Sequence, residues 1–263
     1  VNNRLNVFPL IGRNEFTARF LDICGDVRLL WLPRLADTIT HTEGSRNARV
    51  LTYSESVAAF DTAPGVQGSG VRVYFNGTDE EADTPDQANL SFGAGAGDEP
   101  FSIVAWVKPA ATSGAYTILG KYNGTTGSQK REWFLYLANT GCVYFECYDE
   151  SSDGTIAQYS TSGLGSGSDL MLAATYDGSM AATGIRLYSA AALLAMTVNS
   201  SGTYTAMENL AGLPTLGYNL GAAAGTNYFS GSMLCVALVA RQLVEDELWA
   251  LKALGNSFFD LAL

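Results

Sequence analysis

Histidine is almost absent from this chain of 263 residues: there is one, His41. That excludes a histidine-rich metal centre, and its polar setting, THTEGS, offers no nucleophile elbow for a Ser-His-Asp triad. Cysteine is scarce too. Cys24, Cys142, Cys147 and Cys235 form no CxxC pair, which excludes a zinc ribbon and a dithiol redox motif. Cys142 and Cys147 lie five residues apart on one extended run, so they face opposite sides and cannot bond to each other. Four reduced, mostly buried thiols are expected, and with them assembly in a reducing compartment. Charge is thin at 16% and unbalanced, with a formal net charge of −11. The basic residues are scattered, and Lys130-Arg131 is the only adjacent pair. A phosphate backbone would be repelled, so no nucleic-acid partner is expected. No apolar run is long enough to span a bilayer, so no membrane partner is expected either. No signal peptide is visible, although a first residue of Val leaves processing open.

What the chain does have is glycine, aromatics and alternation. There are 28 Gly, 13 Tyr and 12 Phe, a composition that fits short strands joined by tight turns. In FSIVAWVKP, Phe101, Ile103, Ala105 and Val107 point one way while Ser102, Val104, Trp106 and Lys108 point the other. Strands are predicted at 49–53, 71–75, 100–108, 115–122, 131–138, 142–148, 155–161, 169–176, 184–189, 193–199, 213–217 and 231–240. Asn76-Gly77, Asn123-Gly124, Asp153-Gly154 and Asp177-Gly178 supply turns between them. The fold class that follows is all-β, a two-sheet antiparallel β-sandwich, with no internal repeat. Its predicted core is Phe75, Phe101, Ile103, Ala105, Val107, Leu135, Leu137, Phe145, Ala174, Tyr176, Leu187, Leu216 and Val236.

The two ends read differently. Residues 1–48 are expected to be an N-terminal arm carrying a short helix capped by Asn14, with Phe16, Phe20 and Ile23 on one face and Gly25 as its stop. Residues 49–255 would form the sandwich, closed by a helix over 244–255 that ends at Gly255. Residues 256–263, NSFFDLAL, would be an apolar tail. A sandwich with both inner faces filled has limited room for these groups. Phe8, Leu10, Phe16, Phe20, Trp31, Phe258, Phe259 and Leu261 are therefore expected to dock on other subunits or on a second copy.

A series of blocks resembles the laminin-G-like, pentraxin-like branch of the concanavalin A-like jelly rolls. They are Phe75-Asn76-Gly77-Thr78-Asp79, Ala105-Trp106-Val107-Lys108-Pro109, Ile118-Leu119-Gly120-Lys121, the pair Trp133–Leu137 and Val143–Phe145, Ala173-Ala174-Thr175-Tyr176-Asp177-Gly178, and Gly231-Ser232-Met233 followed by Leu243–Leu248. The resemblance runs from about residue 70 to 254 and implies a concanavalin-like jelly roll. It departs where the family has an acidic residue near its calcium site, since Leu234-Cys235-Val236 stands there. No cofactor is expected. The remaining hard-oxygen candidates for calcium are Asp79, Glu80, Glu81 and Asp83, with Asp149 and Asp153 as a second set.

Catalysis is not expected. A glycosidase needs two carboxylates facing one cleft. In the acidic cluster Glu146, Asp149 and Glu150, the first two point apart, and Glu146 shares a face with Glu150 only if the strand continues. The GAGAG run at 93–97 precedes a strand rather than a helix and is a loop, not a phosphate cradle. Sugar binding would need exposed aromatics, for which Tyr122, Trp133, Tyr148, Tyr159, Tyr218 and Tyr228 are candidates. The leading expectation is a non-catalytic structural or interaction protein. The resemblance extends to jelly-roll modules of tailed-phage virions, which implies a capsid decoration or tail-associated component located in the virion. A carbohydrate-binding, lectin-like module for a host glycan, acting outside the cell, is the alternative, and a glycoside-processing enzyme is third.

Overall fold

The computed structural model of the protein describes residues 12–33, 40–42, 50–53, 72–94, 96–110, 114–125, 128–219 and 227–263. In chain order the elements are α1 (Arg13–Cys24), β1 (Val27–Trp31), β2 (Thr40–Thr42), β3 (Val50–Tyr53), β4 (Val73–Asn76), β5 (Ala82–Asp83), β6 (Phe101–Pro109), β7 (Tyr116–Asn123), β8 (Lys130–Leu137) and β9 (Val143–Asp149). They continue with β10 (Gly154–Ser160), β11 (Leu170–Tyr176), β12 (Ile185–Ser189), β13 (Ala192–Leu193), β14 (Met196–Val198), β15 (Pro214–Leu216), β16 (Ser230–Val239) and α2 (Glu245–Phe259). One sheet has seven strands, ordered β1-β16-β6-β11-β12-β13 with β4 also paired to β16. The other has nine, ordered β14-β10-β9-β8-β7-β15-β5-β3-β2. Every pairing is antiparallel, and the two sheets form a sandwich.

The layer between the sheets follows the period of two. Phe101, Ile103, Ala105 and Val107 of β6 meet Leu135, Leu137 and Phe145 from the facing sheet, and every predicted core residue lies in this one buried cluster. The alternate residues of β6, Val104 and Trp106, enter a second cluster on the outer face of the seven-stranded sheet. α1 and α2 roof that face. Phe16 stacks on Phe258 at 4.5 Å and meets Trp106 edge-on at 6.3 Å, while Phe259 lies 5.8 Å from Trp106.

This second core corrects the reading of the ends. Phe16, Phe20, Phe258 and Phe259 are buried within their own chain, and Leu261 packs against the same cluster. Trp31 is buried between the sheets and donates its indole N–H to the Tyr53 oxygen at 2.8 Å. The five buried side chains are therefore not free to dock on another subunit, and Leu261 is half-buried against the second core. A strand such as β6, apolar on both sides, needs a partner on each side. Phe8 and Leu10 lie outside the described residues. The boundary expected at residue 48 also fails, because β1 is hydrogen-bonded into the sheet, with Val27 opposite Val239 and Trp31 opposite Val236. The first helix is capped by Gly12 rather than Asn14, which sits inside its first turn, and it ends at Gly25 with φ 71°.

The second helix does not stop at Gly255. It runs to Phe259 and is closed by Asp260 in the left-handed region at φ 55°. Gly255 lies instead where the helix crosses Trp106, and a Cβ there would sit 2.4 Å from the indole nitrogen. Its smallness serves close approach rather than termination. Arg241 joins the two helices. Its guanidinium forms a bidentate pair with Glu247 at 2.6 and 2.8 Å and donates to the last-turn carbonyls of Ile23 and Cys24 at 2.7 and 2.8 Å. All four cysteines are free and buried, and burial pushes the Cys24 thiol up to about 12.

Two outcomes follow from the roof. Gly255→Ala adds about 1 kcal/mol of helix propensity, yet overpacking against a fully buried ring costs about 1–3 kcal/mol. The melting temperature should therefore fall, and a rise would mean that the Trp106 contact is loose. Arg241 holds the Glu247 carboxyl below its ordinary value of 4.5. That contribution is complete above 4.5 and is lost as the pH falls through the depressed folded-state value. Glu247→Gln should thus flatten the acid limb of a melting-temperature profile, and parallel wild-type and variant curves would refute the assignment.

Candidate functional site

The outer face of the nine-stranded sheet has no helical roof among the described residues, and it is aromatic. In β8 and β9 the residues that alternate with the core point outward, namely Phe134 and Tyr136, then Tyr144, Glu146 and Tyr148. Register aligns them in rows. Tyr159, Tyr144 and Tyr136 lie opposite one another across β10, β9 and β8. The next row runs Ala157, Glu146, Phe134, Gly120, Thr215 and Asp83 across six strands. Gly120 permits that row, because a Cβ there would meet the Phe134 Cβ at 2.6 Å.

The rings form a ladder. Tyr159 stacks on Tyr144 at 4.8 Å and 7°, Tyr144 on Tyr136 at 5.0 Å and 27°, and Tyr136 on Phe134 at 4.4 Å and 7°. Tyr122 continues it at 4.7 Å from Phe134, and Tyr148 closes the flank 5.2 Å from Tyr122. Most flat faces are engaged by the neighbouring ring, so the ladder offers ring edges and phenol oxygens. Tyr122, Tyr136, Tyr144 and Tyr159 remain half-buried.

Glu146 sits in the middle of the ladder, 8% exposed. One carboxylate oxygen accepts the Tyr136 hydroxyl at 2.8 Å and the other accepts the Tyr148 hydroxyl. Burial pushes this carboxyl up, and the two phenols pull it partly back. Burial likewise raises both phenols, and the nearby Glu146 charge adds to the rise. Arg131 places its guanidinium 5.1 Å over the Tyr148 ring while paired to Glu150 and Asp153.

At its far end the ladder opens on a pocket of about 140 Å³, lined by Tyr122, Tyr218, Glu81, Asp83, Thr215 and Leu213. Burial and then the neighbouring Asp83 push Glu81 up to about 7, and burial raises Asp83. Tyr218 stacks on Tyr228 at 4.4 Å, and burial followed by that neighbour takes Tyr218 up to about 12. A separate cleft of about 410 Å³ at the sandwich edge is lined by Arg28, Asn89, Ser91, Gly93, Glu99 and Asn209, and it contains part of the GAGAG loop.

The structure sorts the sequence candidates. Tyr122, Tyr148 and Tyr159 come together on the ladder, and Tyr218 and Tyr228 sit beside it. Trp133 does not: it is fully buried between the sheets and donates to the Leu90 carbonyl at 3.1 Å. Phe134, Tyr136, Tyr144 and the role of Glu146 were missed. The signal was in WFLYL and VYFECY, where aromatic residues occur in both alternating sets, so that one set had no place in the core.

The acidic candidates have other work. Asp79 accepts the Asn76 amide side chain at 2.8 Å, and Glu80 is buried and accepts the Asn76 backbone N–H. Glu81 and Asp83 line the pocket. No group of three metal-ligating side chains occurs among the described residues. β9 ends at Asp149, so Glu146 and Glu150 do not continue on one strand face. Asp149 accepts from Thr205 N at 2.8 Å and from Ser151 and Ser152, and Glu150 is tied to Arg131. With Asp98 and Glu132, Asp149 anchors the irregular segment 199–213 by its backbone N–H groups, and Glu208 of that segment accepts the N–H groups of Glu150 and Ser151 in return. The backbone of His41 lies in β2 opposite Leu51.

The family assignment rests on this fold together with the sequence. Residues 76–248 match a family model, Laminin_G_3, described as concanavalin A-like lectin/glucanases superfamily, and the chain belongs to that family. No curated protein matches it. Among solved structures it resembles the binding domain of Paraclostridial mosquitocidal protein 1, at 13% identity and a TM-score of 0.60, over 88% of this chain and 52% of that one. It also resembles domain 4 of an extracellular GH43 arabinanase from Geobacillus stearothermophilus, solved with arabinotriose, at 14% identity and a TM-score of 0.57, over 86% and 98%. A third is botulinum neurotoxin type C, from a study of its cell entry through two ganglioside molecules, at 14% and 0.56, over 88% and 51%. The chain spans about half the length of the two toxin structures. At these identities the likeness is one of fold.

Calcium should be dispensable. A ligand that binds only the native state raises the melting temperature by mass action. Chelation should therefore leave that temperature unchanged, and a fall of many degrees would restore a site near Asp79.

Proposed function

We propose that this chain is a non-catalytic carbohydrate-binding module whose ligand lies on the aromatic ladder of the nine-stranded sheet. The observation that carries this reading is the ladder Tyr159, Tyr144, Tyr136, Phe134 and Tyr122, which has no helical roof among the described residues while the opposite outer face lies under two helices. Phenol oxygens suit the hydroxyls of a sugar, and the ring faces that no neighbouring ring covers suit its C–H groups. A few polar groups in an apolar surround, here Glu146 and the pocket acids, fix orientation in small-molecule sites. Tyrosine-rich surfaces also bind proteins. The balance moves to glycans because similarly folded domains are named with arabinotriose and with gangliosides.

A virion component, with other virion subunits as partners, rested in part on apolar ends left over by the sandwich. The placement of Phe16, Phe20, Phe258 and Phe259 in their own chain's second core takes away that support. A glycoside-processing enzyme lacks support for a different reason. Glu146, Asp149 and Glu150 are each held by a different set of partners.

Affinity electrophoresis against a panel of soluble polysaccharides, arabinan among them, tests the proposal. At least one should retard the wild-type chain. Tyr144→Ala and Tyr159→Ala should each weaken retention about tenfold, matching loss of about 1.4 kcal/mol of ring contact. Trp249→Ala should have no effect, since Trp249 is exposed on α2 and away from the ladder. Retardation by no polysaccharide, or an equal effect of all three variants, would overturn the reading.

A further inference from the structure

Glu146 does more than fill space in the ladder. An ionised carboxylate only accepts hydrogen bonds, and a phenol has a single proton to give. Tyr136 and Tyr148 both give that proton to Glu146. What the half-exposed Tyr136 can then offer a third group is a lone pair. Glu146 thereby sets the hydrogen-bond polarity at the centre of the ladder, which asks for donors. The surrounding charge has the same sense. Asp83 and Glu81 line the pocket at one end. Arg131, the cation beside Tyr148, is already paired with Glu150 at 2.7 Å and with Asp153. An anion on this face would meet acceptors and negative charge, and desolvating it there without a donor is costly.

We propose that Glu146 is a specificity-determining positioning residue, which commits the ladder to uncharged glycans whose hydroxyls donate and rejects glycans that bring carboxylates to the contact. The inference rests on the carbohydrate-binding reading and names the ligand class within it. Neither the family match nor the fold neighbours supply this choice.

The test uses matched tetrasaccharides that differ only at C6: cellotetraose, mannotetraose and galactotetraose, each against its uronate counterpart. Titration calorimetry on the full chain is run at about pH 8, above the Glu81 value of about 7, and repeated at about pH 9, because burial raises Glu146 as well and the test needs it ionised. The wild type should bind at least one neutral member, and bind it at least about tenfold tighter than its uronate. In Glu146→Gln the amide N–H₂ donates to one phenol oxygen and turns that phenol's proton outward. The preference should then shrink to less than about threefold, largely through tighter uronate binding. Tyr136→Phe, which keeps the ring and removes the oxygen, should weaken the neutral sugar and leave the uronate unchanged. Circular dichroism melts check that both variants fold. A wild type that binds uronates as tightly as neutral sugars would overturn the inference and spare the carbohydrate reading. So would a Glu146→Gln that weakens both by one factor, as a merely structural carboxylate would. If neither these sugars nor any polysaccharide of the panel binds, the carbohydrate reading falls and this inference with it.

Discussion

A strand that is apolar on both sides must be covered on both sides, and that constraint organises this molecule. β6 shows it most simply. Phe101, Ile103, Ala105 and Val107 build the layer between the sheets, while Val104 and Trp106 emerge on the opposite surface. Burial of apolar area contributes about 25 cal/mol per Å², so two large groups such as Val104 and Trp106 cannot be left in water without loss. The chain covers them with material from both of its ends. α1 and α2 meet over Trp106, and the Phe16–Phe258 stack joins residues that are more than 240 positions apart in sequence. The ends are therefore part of the fold rather than appendages to it.

The same constraint, met on one sheet and unmet on the other, separates structure from site. β8 and β9 also carry aromatic residues on both sides. Their inward residues, Trp133, Leu135, Phe145 and Cys147, join the layer between the sheets. Among the described residues no helix covers their outward rings, and the 4.4–5.0 Å stacking of Tyr159, Tyr144, Tyr136 and Phe134 limits the ring area that this sheet surface exposes. Polar tips make the solution stable in water. They also make the surface chemically specific, because each phenol oxygen must point its proton somewhere.

The sequence made the inner layer legible because strand alternation is short-range and strict. All thirteen predicted core residues, from Phe75 to Val236, occupy one buried cluster. It misled where smallness and apolarity have two explanations. Gly255 looked like a helix stop, and its function is contact with Trp106. Trp133 looked like an exposed platform because its strand carries aromatics on both faces, and nothing local says which face is inside. Phe16 and Phe258 looked surplus because no local pattern shows a second core assembled from the two ends of a chain. The ladder was hidden for a related reason. Tyr144 and Tyr159 become neighbours only through the β9–β10 register.

The acidic balance of the chain takes on a different meaning in three dimensions. In the sequence the acids stood as candidates for a cation site and were set aside as a catalytic pair. Several of them instead hold backbone N–H groups that no ladder or helix satisfies. Asp98 accepts Met207 N, Asp149 accepts Thr205 N, Glu132 accepts Leu210 N, and Glu208 accepts the N–H groups of Glu150 and Ser151. An irregular segment such as 199–213 has a full set of backbone donors to satisfy, and carboxylates meet them more strongly than neutral acceptors do. Glu146 is the exception that proves informative. It lies among the same strands, but its partners are phenols on the unroofed face rather than backbone. One carboxylate used this way orders hydroxyls that would otherwise rotate freely, and an ordered hydroxyl can discriminate between ligands where a rotating one adapts to either.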